Sequence, residues 1–122
     1  MKIVIDGNDG TGKSTLVKEL KKLGYDVSDR GIPTKMTDNP SLKLAKDEFY
    51  VILDAPITVC QQRLQKAGKN LEEPYHNKND LQRYWKRFEQ IAKKFTNCVL
   101  IDANCSIEEV MQETLEHLKK IT

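Results

Sequence analysis

The chain has 122 residues, carries 20 Lys and Arg against 18 Asp and Glu, and is 39% hydrophobic. That length suits one domain and suffices to bury a core without disulfides or a structural metal. The near-balanced charge gives no electrostatic case for nucleic acid or an anionic membrane as the main partner, and the composition excludes global disorder.

Taken in chain order, strand and helix patterns alternate. Residues 2–5 read as a first apolar strand. That apolar run is far too short for a signal peptide, and no run approaches a membrane span. A soluble, cytoplasmic protein is expected. After Gly7-Asn8-Asp9-Gly10-Thr11-Gly12-Lys13-Ser14, a helix over 14–23 puts Leu16, Leu20 and Leu23 on one stripe, with Gly24 to end it. Residues 25–28 make a weaker second strand that leads into Asp29-Arg30-Gly31. The polar stretch 31–47 holds Pro33 and Pro40; a short capped helix from Asn39-Pro40 onward is expected, with loop for the rest.

The third strand, 49–53, runs into Asp54. A helix over 58–67 then shows Cys60, Leu64 and Ala67 on one face, capped by Gly68. The strongest helical pattern is 80–95, with Asn79 as its expected N-cap. Leu81, Tyr84, Trp85, Phe88, Ile91, Ala92 and Phe95 follow helical spacing there, and Trp85 is expected in the core with Tyr84 and Phe88. The fourth strand, 98–101, runs into Asp102. Ser106-x-x-Glu109 is a capping box for a last helix with Ile107, Val110, Met111, Leu115 and Leu118 as its stripe. This order predicts an α/β fold, a parallel sheet of about four strands with helices on both faces.

Cys60, Cys98 and Cys105 form no CxxC pair and lie in apolar stretches, so free, buried thiols in a reducing compartment are expected. His76 and His117 are isolated and lack metal-ligand spacing. Tyr75-His76 follows Pro74 in a loop, and the lysines of Lys18-Glu19-Leu20-Lys21-Lys22 read as a solvated helix face.

Gly7 to Ser14 fits G-x-x-x-x-G-K-[ST] between a predicted strand and a predicted helix, the context that motif needs. Glycines let the backbone curl so that several N–H groups face one phosphate chain, and the helix adds its positive end. Lys13 would reach the β- and γ-phosphates of a nucleotide, and the Ser14 hydroxyl would ligate Mg²⁺. Asp29 and Arg30 lie beyond the carboxyl end of the second strand, where an acid can serve Mg²⁺ and an Arg can clamp a second phosphate. Asp54 and Asp102 also end strands, and the residues alone leave the three acids open; the strand beside the first would decide.

Ile5 to Thr15 resembles the phosphate loop of thymidylate kinases. Asp29-Arg30 resembles that family's Asp-Arg motif, and Leu53-Asp54-Ala55-Pro56 with Arg63-Leu64 resembles its L-D-x-P … R segment. The pattern from Asp80 to Val110 resembles its C-terminal third, and Asp29-Arg30-Gly31 with Thr34-Lys35 is also similar to compact, virus-encoded deoxynucleotide kinases. The resemblance implies a single P-loop kinase domain over 1–122 that transfers the ATP γ-phosphate to a nucleoside or deoxynucleoside monophosphate, with Mg²⁺. It implies Asp9, Gly10, Thr11, Gly12, Lys13, Ser14 and Thr15 around the nucleotide, with Asp9 near the acceptor sugar or phosphate. Arg63 would lie near the adenine or phosphates, and Ala103 and Asn104 along the adenine. Lys13, Asp29, Arg30 and Arg63 would be the catalytic set, and Ser14 and Asp29 would serve the metal.

Typical members carry most of the acceptor-base pocket between the loop helix and the Asp-Arg strand. Here Lys13 and Asp29 are only sixteen positions apart, and the segment after Arg63 offers Lys66 and Lys69 but no further Arg before residue 74. Reduced acceptor-binding and lid segments are therefore expected, and the acceptor stays open. A homodimer that rebuilds part of the pocket, a nucleotide-binding module without turnover, and a kinase acting on another small acceptor are the alternatives.

Overall fold

The computed structural model describes residues 1–29 and 44–121. Arg30, Thr34, Lys35 and the expected helix from Asn39-Pro40 lie outside the described residues. The elements are β1 (Lys2–Gly7), α1 (Lys13–Lys22), β2 (Val27–Ser28), β3 (Glu48–Asp54), α2 (Ile57–Lys66), α3 (Lys78–Lys94), β4 (Cys98–Asp102) and α4 (Ile107–Ile121). The four strands form one sheet in the order β2-β1-β3-β4, and every pairing is parallel.

The near-continuous apolar strands are explained by burial of both sheet faces. Successive side chains point to opposite faces. Ile3 and Ile5 of β1, and Phe49, Val51 and Leu53 of β3, enter a core built with Leu16, Val17 and Leu20 of α1, Cys60 and Leu64 of α2, and Val110 and Leu118 of α4. Val4, Tyr50 and Ile52 enter the second core, under Tyr84, Phe88 and Ile91 of α3. Each fully buried leucine contributes about 1.5–3 kcal/mol through the water it sheds.

Several sequence expectations shift. Leu23 is not part of the α1 stripe: it is the C-cap residue and exposed, and Val17 takes the place beside Leu16 and Leu20. Ala67 is likewise an exposed C-cap. The α3 N-cap is Asn77, not Asn79; its side-chain oxygen accepts the Asp80 N–H at 2.8 Å. Trp85 leaves the core altogether, for a reason the site supplies. The capping box of α4 forms as expected, with Ser106 Oγ accepting the Glu109 N–H at 3.2 Å and Glu109 Oε1 accepting the Ser106 N–H at 3.4 Å. Within α4 the buried Thr114 hydroxyl donates to the Val110 carbonyl at 2.7 Å, which lets a polar residue sit in an apolar stripe. All three cysteines are free. Burial pushes the Cys98 thiol up to about 12, whereas Cys105 is only partly buried, contrary to expectation. Among the described residues no helix is long and apolar enough to cross a membrane.

Candidate nucleotide-binding site

In sequence β1 leads to β2 on one side of the sheet, and the chain then returns to place β3 on the other side of β1. The switch of direction between β1 and β3 is where open α/β sheets bind ligands, beyond the strands' carboxyl ends. Gly7 ends β1 at that point, in register with Leu53. A Cβ on Gly7 would fall on the Leu53 carbonyl oxygen, so only glycine lets the two strands stay paired there. The Asp6 carboxylate accepts the Gly7 N–H at 2.8 Å and holds the start of the loop.

The loop is braced from three sides. Asn8 is buried and its amide donates to the Leu81 carbonyl of α3 at 2.8 Å. The buried Thr11 hydroxyl closes the loop on itself by donating to the Asn8 carbonyl at 2.6 Å. Arg63 of α2 donates to the Gly10 carbonyl at 3.3 Å and to the Ala103 carbonyl at 2.9 Å, so one guanidinium joins the loop to the chain after β4.

What remains open is the cradle. Gly12 caps α1 with φ +91°, makes no side-chain cap hydrogen bond, and has nothing within 4 Å of where a Cβ would stand. The first turn of α1 carries no acidic residue. A helix N-terminus with open space before it and no carboxylate to fill it fits a phosphate. Lys13 points its ammonium back over the loop, donating to the Gly7 carbonyl at 2.7 Å and lying 3.3 Å from Asp9 Oδ1. Beside this cradle a cavity of about 200 Å³ is lined by Thr11, Gly12, Thr15, Arg63, Ala103 and Val110, among others. Its mostly apolar wall would suit the ring of a nucleotide whose phosphates reach Gly12. Ser14 is exposed in the first turn of α1. Asn104 is exposed, and its N–H is turned inward to Asp102 Oδ1 at 2.8 Å.

The strand order narrows the choice among the three acids. β4 is separated from β1 by β3, so Asp102 is not on a strand beside the first. Both β2 and β3 flank β1. Ser28 is level with Val4, which sets Asp29 well before the loop, whereas Leu53 is level with Gly7 and Asp54 follows it. Three strand positions are about 10 Å. Burial pushes the Asp54 carboxyl up, the hydrogen bond from Trp85 pulls it back down, and the carboxylates of Asp102 and Glu89 add to the rise. Trp85 Nε1 donates to Asp54 Oδ1 at 2.7 Å, which explains why this ring stands 37% exposed at the carboxyl end of β3 instead of in the core: its N–H needs an acceptor, and the acceptor is here.

Two further contacts lie outside any sequence motif. His76 Nε2 lies 3.1 Å from Asp9 Oδ2. Tyr75 stacks on Tyr84 with ring centroids 5.7 Å apart. Their signal in the sequence is the pair Tyr75-His76 in a polar loop, since nothing local links His76 to the distant Asp9.

No protein-family model matches the chain. A thymidylate kinase from Caldicellulosiruptor saccharolyticus is 31% identical over 68 residues, which is 56% of this chain and 33% of that enzyme. The chain thus matches about a third of the length of that relative. The crystal structure of a gluconokinase from Sinorhizobium meliloti superposes with a TM-score of 0.64 at 16% identity, over 98% of this chain and 92% of that one. Over those 68 residues the chain is similar in sequence to a thymidylate kinase, and with its four-stranded parallel sheet and the loop after β1 it has an α/β P-loop NTPase-type fold.

Proposed function

We propose that this chain is a single-domain, cytoplasmic phosphotransferase that uses ATP and Mg²⁺ and acts on a nucleoside or deoxynucleoside monophosphate. The observation that carries the reading is the open cradle at Gly12 with the Lys13 ammonium folded beside it. ATP would supply the phosphoryl group, with Mg²⁺ to offset its charge. The backbone N–H groups at the start of α1 would hold the phosphates, and Lys13 would turn from Gly7 and Asp9 to the β- and γ-oxygens. Ser14 would serve the metal with one acid from a strand beside β1; the resemblance favours Asp29, and the strand register supports Asp54. Arg30 would hold the acceptor phosphate. Phosphoryl transfer asks mainly for positioning and for fixed charge around the moving group, which this set of residues can supply.

The thymidylate kinase match supports a nucleotide acceptor. The likeness to a gluconokinase along nearly the whole of both chains supports a second reading, a small non-nucleotide acceptor. The test is ADP release from ATP and Mg²⁺ with a panel of nucleoside and deoxynucleoside monophosphates, nucleosides, and sugar acids. Acceptor-dependent ADP with a monophosphate supports the first reading, and Lys13→Ala should abolish it. Turnover with gluconate alone supports the second. Calorimetric ATP binding with no turnover on any acceptor rejects both in favour of a binding module.

A further inference from the structure

Tyr75 alone among the described non-glycine residues has a left-handed backbone, at φ +68°. Such a conformation costs about 1–3 kcal/mol and persists only where surrounding contacts enforce it. Here they do. The Tyr75 N–H is held by Asp80 Oδ2 at 2.9 Å, the His76 N–H by the Glu73 carbonyl at 3.1 Å, and the tyrosine ring by Tyr84. The kink delivers His76 to the phosphate loop with its side chain only 15% exposed. Nε2 faces Asp9 Oδ2 at 3.1 Å, and Nδ1 faces the Asn70 carbonyl at 3.3 Å, with Glu73 Oε2 at 3.8 Å. Both ring nitrogens thus meet acceptors; a neutral ring can donate to one of them and a protonated ring to both.

Asp9 therefore stands between two side chains that can donate to it, with Oδ2 on His76 and Oδ1 on Lys13. Under the proposed function, the β- and γ-phosphates draw the Lys13 ammonium away from Gly7 and Asp9. Were Lys13 the sole partner, its departure would leave a bare carboxylate beside an incoming polyphosphate, and like charges at that distance repel. We propose that His76 is a positioning residue for nucleotide binding: it keeps the Asp9 carboxylate bonded and in place, which releases the Lys13 ammonium to the nucleotide phosphates. This rests on the nucleotide-binding reading above. It adds a residue that no loop motif contains, and it ties the segment before α3 to occupancy of the phosphate loop.

The test is calorimetric affinity for Mg·ATP in the full chain, without any acceptor. His76→Ala should weaken binding roughly five- to tenfold, a coupling of the size seen between groups in direct contact. His76→Gln, which keeps an N–H donor, should recover affinity to within about twofold of the parent. In an Asp9→Asn background, where no carboxylate remains to be held, adding His76→Ala should change little. Unchanged affinity in His76→Ala overturns the inference, as does an equal loss in the Asp9→Asn background, because His76 would then act by supporting the fold. A parent chain that binds no Mg·ATP at all rejects the nucleotide-binding reading and this inference together, so the two failures are distinguishable.

Discussion

At the scale of single residues, two glycines of the same loop do different work. Gly7 is needed by the fold, because a Cβ there meets the backbone oxygen of Leu53 in the paired strand. No neighbouring atom demands glycine at position 12, because the space in front of it is empty; the proposed function puts the ligand phosphate there. Gly7→Ala should therefore cost about 3 kcal/mol or more in urea unfolding, since a backbone atom cannot move aside and the left-handed conformation adds strain. Gly12→Ala should cost only about 1–2 kcal/mol from its φ, yet weaken Mg·ATP roughly tenfold or more, because its methyl stands where phosphate approaches. Equal losses of stability in the two variants would sink the distinction. The motif names both glycines, but it does not say which one faces a strand and which one faces solvent.

At the scale of elements, what could be read was what local chemistry determines. The strands β1, β3 and β4 announce themselves as Val- and Ile-rich runs because both sheet faces are covered, and the α4 start follows from a capping box closed within four residues. The sequence pattern places the start of α3 two residues late because both Asn77 and Asn79 are good caps. The local hydrogen bonds choose Asn77, whose amide also donates to the Glu73 carbonyl at 3.2 Å and to Asp80 Oδ2 at 3.2 Å. Asn77→Ala should lower stability by about 1–2 kcal/mol, and Asn79→Ala, outside this network, by less than about 0.5 kcal/mol. Thermal unfolding of the pair decides it; equal effects would return the cap to Asn79. Because Asn77 also braces the segment that carries His76, its loss should additionally weaken Mg·ATP. Helical spacing puts Trp85 in the core, and His76 reads as an isolated loop histidine, for one shared reason. Each is fixed by a carboxylate from a distant strand or loop, Asp54 or Asp9, and helical periodicity contains no information about such partners.

At the scale of the whole molecule, Arg63 is where the parts of the site are assembled. The resemblance of Leu53-Asp54-Ala55-Pro56 with Arg63 to the thymidylate kinase segment implies a place near the nucleotide, but the sequence does not reveal whether its charge or its shape matters. The geometry favours shape. One guanidinium donates to the carbonyls of Gly10 and Ala103, and so spans the phosphate loop and the chain leaving β4, two segments that both line the same cavity. A fork of fixed N–H groups can bridge two carbonyls in this way, while a lysine ammonium at the end of a flexible stem holds one of them poorly. Arg63→Lys should therefore behave more like Arg63→Ala than like the parent. Both should lose about 1–3 kcal/mol of stability, the range for hydrogen bonds from a charged donor. Both should also weaken Mg·ATP, because the cavity wall at Ala103 is no longer tied to the loop that holds the phosphates. If Arg63 instead served only as a positive charge near phosphate, Arg63→Lys would keep most of the parent affinity and stability, and only Arg63→Ala would fall. Urea midpoints and calorimetric affinities of the two variants, measured side by side, separate a clamp from a charge. If the clamp is correct, mutations that loosen α2 from the core, such as Leu64→Ala, should weaken nucleotide binding without touching the nucleotide, because Leu64 packs in the same helix and holds the guanidinium at its height above the sheet.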